Sequence, residues 1–396
     1  MSPVYLDHNA TTPLDPRVRD AMLPWLDGVP QNASSVHAWG QAAREAVEAA
    51  RARVAALLGV TEPARLVFTA SGTEALNAVI AGSIRASRSE VRSPSPAAHL
   101  VISAIEHPAV LAAAARLETA GVAVTRVTPT ASGRVEAAEF AAALREGTVL
   151  AALMLANNEV GTIQPVAEVA AECRRRGVPL LCDAVQAVGK IPVDVEALGA
   201  DYLVLGAHKF HGPLGAAALW VRPGVPFEPL LVGGGQERRW RAGTENVPAI
   251  VGLGMAAKLA AAELGERGLH LRRLRDRFES GVRSLGGVEI HGAAAERLPN
   301  TTHLAFPGLS AEALMIRLDM AGFAVSTGSA CSSGKVEASA TLAAMGLGDE
   351  EAAASLRVSF GATNDEAEVE SLLVALGREV GELRRLSRPP SEATAS

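Results

Sequence analysis

The stretch that decides the fold reads Tyr202-Leu203-Val204-Leu205-Gly206-Ala207-His208-Lys209-Phe210-His211-Gly212-Pro213. Its first four residues make a short apolar run with the length of a buried strand. The run stops at Gly206, a His-Lys pair follows, and the chain turns at Gly212-Pro213. A lysine just past a buried strand end is partly desolvated. Desolvation disfavours the ammonium and frees the amine as a nucleophile. An isolated lysine of this kind is better read as a surface turn, so its neighbours must decide.

Working outward, several other apolar runs end on polar residues. Leu66–Thr69 leads through Ser71-Gly72-Thr73-Glu74 into a helical pattern from Ala75 to Ile84. Backbone N–H groups at that helix start, with the Thr73 hydroxyl, suit a phosphate. The same four residues also spell a capping box. His99–Ser103 is followed by Glu106-His107-Pro108 and an alanine-rich helix. His107 is either a site residue at a strand end or a helix cap. The run Thr148–Leu155 closes on Asn157-Asn158, which offer directional hydrogen bonds or simply a turn. Pro179–Asp183 ends in a carboxylate that needs a cationic partner if buried, and Gln186 follows.

Helical patterns separate these runs, and Ala216–Val221 completes the series. Strands alternating with helices predict an α/β fold with a mostly parallel sheet covered on both faces. Gln41–Leu58 reads as an amphipathic helix with Val47, Ala50, Val54 and Leu58 on the apolar face, the arginines mostly opposite, and Gly59 as its stop. Arg85–Ala98 is rich in Ser, Pro and Arg and reads as a surface loop. The segment from Gly233 to Asn246 is long, polar and glycine-rich for a mere connection. The pattern changes near residue 260. We assign residues 15–259 to a large domain. Residues 1–14 and 260–386 form a smaller α+β domain, and 387–396 a disordered tail.

Composition removes several function classes. The chain has 396 residues, 48% of them apolar, with a net charge of −6 and no long basic run. Nucleic acid is therefore an improbable partner. The N-terminus lacks a signal-peptide pattern, and no apolar run suggests a membrane span, so the expected location is the cytoplasm. Three cysteines are too few for a disulfide framework. Cys173 and Cys182 lie in apolar periodic segments and read as core. Cys331 sits among small residues from Ser326 to Gly334, a composition that makes a flexible loop carrying one thiol. Arg357, inside the strand pattern Leu356–Phe360, is either paired or waiting for an anion.

Thr73, His107, Asn158, Asp183, Gln186 and Lys209 together fit pyridoxal 5′-phosphate. That cofactor needs a lysine for attachment, an acid for the ring nitrogen, and anchors for its phosphate and hydroxyl. With these motifs the chain resembles a cysteine desulfurase of the class V aminotransferase superfamily, in the nitrogen-fixation and iron–sulfur-cluster group. The resemblance runs from Tyr5-Leu6-Asp7 to Arg357. It includes Asn9-Ala10-Thr11-Thr12-Pro13, Asp183-Ala184-Val185-Gln186, Ala207-His208-Lys209 and Arg241-Ala242-Gly243-Thr244-Glu245-Asn246.

The resemblance implies a fold-type I transferase that converts L-cysteine to L-alanine and leaves the sulfur on Cys331 as a persulfide. It implies that Lys209 holds the cofactor and moves the Cα proton. Asp183 pairs with the ring nitrogen, His107 stacks on the ring as acid/base, and Gln186 contacts the ring hydroxyl. Gly72, Thr73 and His208 cradle the phosphate, Gly206 contributes through its N–H, and the partner subunit's Thr244 completes the cradle in a homodimer. Asn32, Asn158 and Arg357 orient the substrate. No resident metal is expected, although Cys331 is a point of contact for a nascent iron–sulfur cluster. The sulfur acceptor is a protein such as an iron–sulfur scaffold or a thiolation enzyme. Competing readings are a selenocysteine lyase, another class V aminotransferase, and a non-catalytic sulfur-relay scaffold. The sequence departs from the family pattern at Gly206, where serine is usual, and at Arg239, where glycine is usual. It departs again at Ala33, where proline is common, and in Val336–Ala340, where a proline and a following aromatic or histidine are common.

Overall fold

A computed structural model describes residues 3–28, 30, 32–89, 98–327 and 339–386. Its twelve strands are β1 Val4–Tyr5, β2 Leu66–Thr69, β3 His99–Ser103, β4 Ala123–Val127, β5 Thr148–Met154, β6 Leu180–Asp183, β7 Tyr202–Gly206, β8 Ala217–Val221, β9 Glu289–His291, β10 Thr301–Ala305, β11 Phe323–Ala324 and β12 Ser355–Ser359. The helices are α1 Pro16–Leu26, α2 Ala38–Leu57, α3 Gly72–Ser89, α4 Pro108–Thr119, α5 Ala137–Ala143, α6 Val166–Arg175, α7 Val195–Leu198, α8 Val247–Ser284, α9 Ala311–Met320, α10 Ala340–Ala344, α11 Asp349–Ala353 and α12 Glu366–Leu386.

The large sheet has the order β2-β8-β7-β6-β5-β3-β4. All neighbours run parallel except β8, which is antiparallel to both β7 and β2. The inner strands β3, β6 and β7 are buried on both faces, which is why they read as continuous apolar runs rather than alternating ones. The chain order reverses between β3 and β5, and a crevice opens there at the carboxyl ends. The polar residues that end β3, β5, β6 and β7 meet in that crevice.

A second sheet, β12-β10-β9, is antiparallel and packs with α8, α9 and α12 around Leu274, Phe278, Phe306, Leu314 and Phe360. Leu6 joins that core, because β1 pairs in parallel with β11. Just beyond β1, Asp7 makes an isolated bridge to Ser359.

Helix α8 runs for 38 residues, roughly 57 Å at 1.5 Å per residue. Its N-terminal part is apolar and long enough to cross a membrane by length and composition alone, but 61% of that window is buried inside the fold. It crosses α2 so closely that a Cβ on Gly254 would lie 2.5 Å from Ala50 Cα. The apolar face read for α2 is the buried one, and Gly59 ends the helix with φ +69°. Two local readings change. Arg51 of α2 is buried rather than on the polar face. Helix α3 continues to Ser89, into the segment read as a loop from Arg85.

Candidate active site

Lys209 closes a single 3₁₀ turn, Ala207–Lys209, directly after β7. The turn folds back tightly, with Gly212 N–H donating to Ala207 O at 2.9 Å. A Cβ on Gly212 would meet Ala207 Cβ at 2.7 Å, so glycine is required. The N-terminal segment clamps this turn from the other side. Thr12 donates to His208 O through both its N–H (2.8 Å) and its hydroxyl (2.9 Å). Lys209 Nζ donates to Asn9 O at 2.6 Å and Ala10 O at 2.8 Å. Burial, then the Arg357 charge, push its amine down to about 8, while Asp7 and Asp183 pull the other way. Near neutral pH a useful fraction of Lys209 is therefore uncharged, as a nucleophilic amine needs to be.

Asp183 ends β6 and is 6% exposed. Burial raises its carboxyl to about 6 against an N–H donated by Val185 at 2.9 Å and the Lys209 charge. A cationic partner would return it to the ordinary carboxylate range. His107 takes both of its open readings at once. Its Nδ1 caps α4 by accepting from Ala109 N–H at 3.1 Å, and the ring lines the crevice. Burial and Lys209 push it down to about 4, so it is neutral with its proton on Nε2. Burial and its cationic neighbours likewise push His208 down to about 4, and its Nδ1 lies 3.2 Å from Thr11 Oγ1.

The turn before α3 likewise caps its helix and lines the crevice. Ser71 Oγ accepts from Glu74 N–H and Glu74 Oε2 from Ala70 N–H, so the capping box is real. The same turn lines the crevice with Gly72 and Thr73. The two asparagines divide the work. Asn157 is fully buried and its side chain holds the turn, accepting from Glu159 and Val160 N–H. Asn158 lines the crevice, and its carbonyl accepts from Arg357 Nη1 at 3.0 Å. Arg357 is paired: its Nη2 donates to Asp7 Oδ1 at 2.5 Å, while Nε is buried without a hydrogen-bond partner among the described residues.

The crevice holds about 660 Å³ and also takes in Gln186, Gly206, His208, Ser326 and Thr327. Its contents suit pyridoxal 5′-phosphate. They offer an amine poised near neutrality, a buried carboxylate lacking a full counter-charge, and a helix N-terminus for a phosphate. Cys331 lies outside the described residues. The chain on either side of it is fixed at the crevice. Ser326 and Arg357 exchange backbone hydrogen bonds of 3.1 and 2.6 Å, and Ser339 Oγ donates to Glu159 at 2.5 Å. Cys173 and Cys182 are fully buried; burial pushes the first thiol up to about 12 and the second well above its ordinary value.

Two expected residues do not line this crevice. Asn32 is exposed, with its side chain accepting from Ser34 N–H at 2.9 Å. Thr244 is exposed on the glycine-rich loop. That loop is tied down by Glu237, which pairs with buried Arg51 at 2.8 and 2.9 Å and accepts from Phe68 N–H of β2. Arg241 adds a bond of 2.9 Å to Glu74 at the α3 turn.

Sequence reasoning missed Lys190, Asn9 and Glu106. Lys190 is 6% exposed and has no carboxylate partner among the described residues; its Nζ donates to Gln186 Oε1 at 2.7 Å and Asn9 Oδ1 at 3.1 Å. Gln186 in turn donates to Asn9 O at 2.9 Å. The signal was present, since Gln186 and Lys190 are four residues apart in the turn after Asp183. Glu106 sits behind His107 with its carboxyl raised to about 8 by burial, accepting from Ser103 Oγ and Met154 N–H.

The aminotransferase class-V family model matches residues 4–372 of the chain. The cysteine desulfurase of Trichormus azollae is 42% identical over 388 residues, covering 98% of this chain and 95% of that protein. A solved NifS-like protein superposes with a TM-score of 0.89 at 36% identity, over 96% of this chain and all of that one. A structure of SspA in complex with cysteine gives a TM-score of 0.78 at 31% identity, over 90% and 98% of the two chains.

Proposed function

The chain belongs to the class V aminotransferase family, among its cysteine desulfurases, and from that premise we propose that it converts L-cysteine to L-alanine with transfer of the sulfur to Cys331. The observation that carries this reading is the meeting of Lys209, Asp183, His107 and Arg357 in one crevice, with the chain flanking Cys331 anchored at its edge. Lys209 would hold pyridoxal 5′-phosphate, and Asp183 would pair with its ring nitrogen. Gly72, Thr73 and His208 would receive the phosphate, with the Gly206 N–H beside them. When bound, the cofactor supplies an electron sink for negative charge at the substrate Cα.

Arg357, which lines the crevice, orients the substrate carboxylate through its guanidinium fork. Asn158 and Asn32 assist in this reading. Lys209 Nζ moves the proton at Cα; an amine near pH 8 can both accept and return it. Neutral His107 has a proton on Nε2 to give. The Cys331 thiolate attacks the substrate sulfur: the C–S bond breaks, an S–S bond forms, and the carbon skeleton keeps the electron pair and is protonated to alanine. In a homodimer the partner subunit's Thr244 would complete the phosphate site, in keeping with its position outside this chain's own crevice. The acceptor in this reading is a cytoplasmic protein, an iron–sulfur scaffold or a thiolation enzyme.

The test is mass spectrometry of wild type, C331S and K209A after incubation with L-cysteine alone, under non-reducing conditions. We expect a persulfide on Cys331 and release of alanine from wild type only, with the visible absorbance of lysine-bound cofactor lost in K209A. A persulfide on Cys173 or Cys182, or undiminished alanine from C331S, refutes the assignment. A requirement for an added keto acid would favour an aminotransferase instead.

A further inference from the structure

Away from the crevice, β9 and α11 bring Glu289, His291 and Glu351 together. One donor atom from each lies within 4.8 Å of the other two. His291 is 7% exposed, and its Nε2 has no hydrogen-bond partner among the described residues. That nitrogen points at Glu351 Oε1 from 3.6 Å, too far for a hydrogen bond. The buried nitrogen and the carboxylate oxygen are thus left facing each other without a hydrogen bond, at a separation that an ion between them would bridge. Two donors at about 2.1 Å on a tetrahedral ion lie roughly 3.4 Å apart, close to the separation seen here.

We propose that Glu289, His291 and Glu351 form a binding site for a divalent transition cation of the zinc class, with water in the remaining position. One nitrogen and two carboxylate oxygens suit Zn²⁺ and Co²⁺. The surroundings support the histidine as a ligand. His291 Nδ1 lies 2.9 Å from Nδ1 of His303, its direct neighbour across β10. With an ion on Nε2, the His291 proton must sit on Nδ1, where it is donated to the His303 lone pair. This is the outer hydrogen bond that metal-ligating histidines ordinarily make. His303 is fully buried and stands opposite Arg357 on the other side of β10, so the site lies two strands from the crevice.

The site is tested on untagged holoenzyme carrying C331S, which leaves only the two buried thiols of Cys173 and Cys182. Co²⁺ is the probe, with bound metal counted after equilibrium dialysis and the visible ligand-field bands recorded. We expect one Co²⁺ per chain with bands free of thiolate charge transfer. E289Q and E351Q, at accessible positions that leave the fold intact, should each weaken uptake at least about 10-fold. Retained cofactor absorbance verifies that both variants are folded. Failure of the parent protein to take up Co²⁺, or uptake undiminished in either variant, overturns the site.

Discussion

Lys190 is a buried lysine whose charged form folding disfavours, and replacing it by methionine exposes the cost. Its Nζ is enclosed by neutral oxygens, those of Gln186 at 2.7 Å and Asn9 at 3.1 Å. Burial first, then the like charges of Lys209 and Arg357, push its pKa well below the ordinary lysine value. Between that lowered value and the unfolded value near 10.4 the unfolded chain binds one more proton than the folded one. Stability then rises with pH, by about 1.4 kcal/mol per unit. K190M removes this dependence. Within the window wild type should therefore gain steadily on the variant as pH rises, whereas outside it the two should run parallel. Lys209 contributes a similar slope in both proteins, so it drops out of the difference. Asn9 Oδ1 keeps a donor in Asn300 at 3.1 Å, so the substitution strands only Gln186 Oε1. That loss is about 1–3 kcal/mol, independent of pH. The assay is urea unfolding of both proteins at matched pH values, followed by circular dichroism. Parallel pH dependences would show that Lys190 stays charged in the fold and would refute the reasoning.

Gly206→Ser should be accepted. The backbone there is ordinary extended strand at φ −130°, and an added Cβ would meet Val185 and His208 at 3.6 and 3.7 Å, normal contact distances. A hydroxyl that reaches the phosphate should tighten cofactor binding by about 0.5–1.5 kcal/mol, roughly two- to tenfold in Kd; weaker binding by cofactor titration would refute this. Arg239→Gly relieves a side chain held at φ +67°. Removing a left-handed cost of roughly 1–2 kcal/mol against about 0.5–1 kcal/mol of added chain entropy should leave stability unchanged or raised by about 1 kcal/mol. A loss of more than about 1 kcal/mol in urea unfolding would show that Arg239 makes a contact worth more than its strain.

Much of the site could be read from the chain because each functional group follows a strand directly. Lys209, Asp183, His107 and Asn158 mark the points where an apolar run stops, and parallel strands deliver their carboxyl ends to one edge. What could not be read depends on contacts between distant segments. Asn9 supports Lys209 across 200 residues, and no local pattern announces that pairing. Thr12 is tied in the same way to His208 and His211 in the turn after β7, far off in sequence. The direction of β8 was hidden for a related reason: a strand buried on both faces has the same apolar pattern in either direction. Arg51 misled because helical periodicity ranks residues by polarity, whereas its burial is decided by Glu237 reaching in from another element.

The ambiguities over Ser71–Glu74, His107 and the asparagine pair share one explanation. In each, the alternatives were a structural turn and a functional contact, and the fold both closes the turn and brings it to the crevice. A crevice built on strand ends must terminate strands, start helices and present polar atoms within a few residues. A capping group does this economically: the Ser71–Glu74 box exposes the first turn of α3, and His107 Nδ1, by accepting from Ala109 N–H, fixes the tautomer that leaves a proton on Nε2. The capping bond and the chemistry at His107 are therefore coupled. A side chain that caps α4 equally well without an imidazole, such as asparagine, would preserve the helix and remove the proton donor.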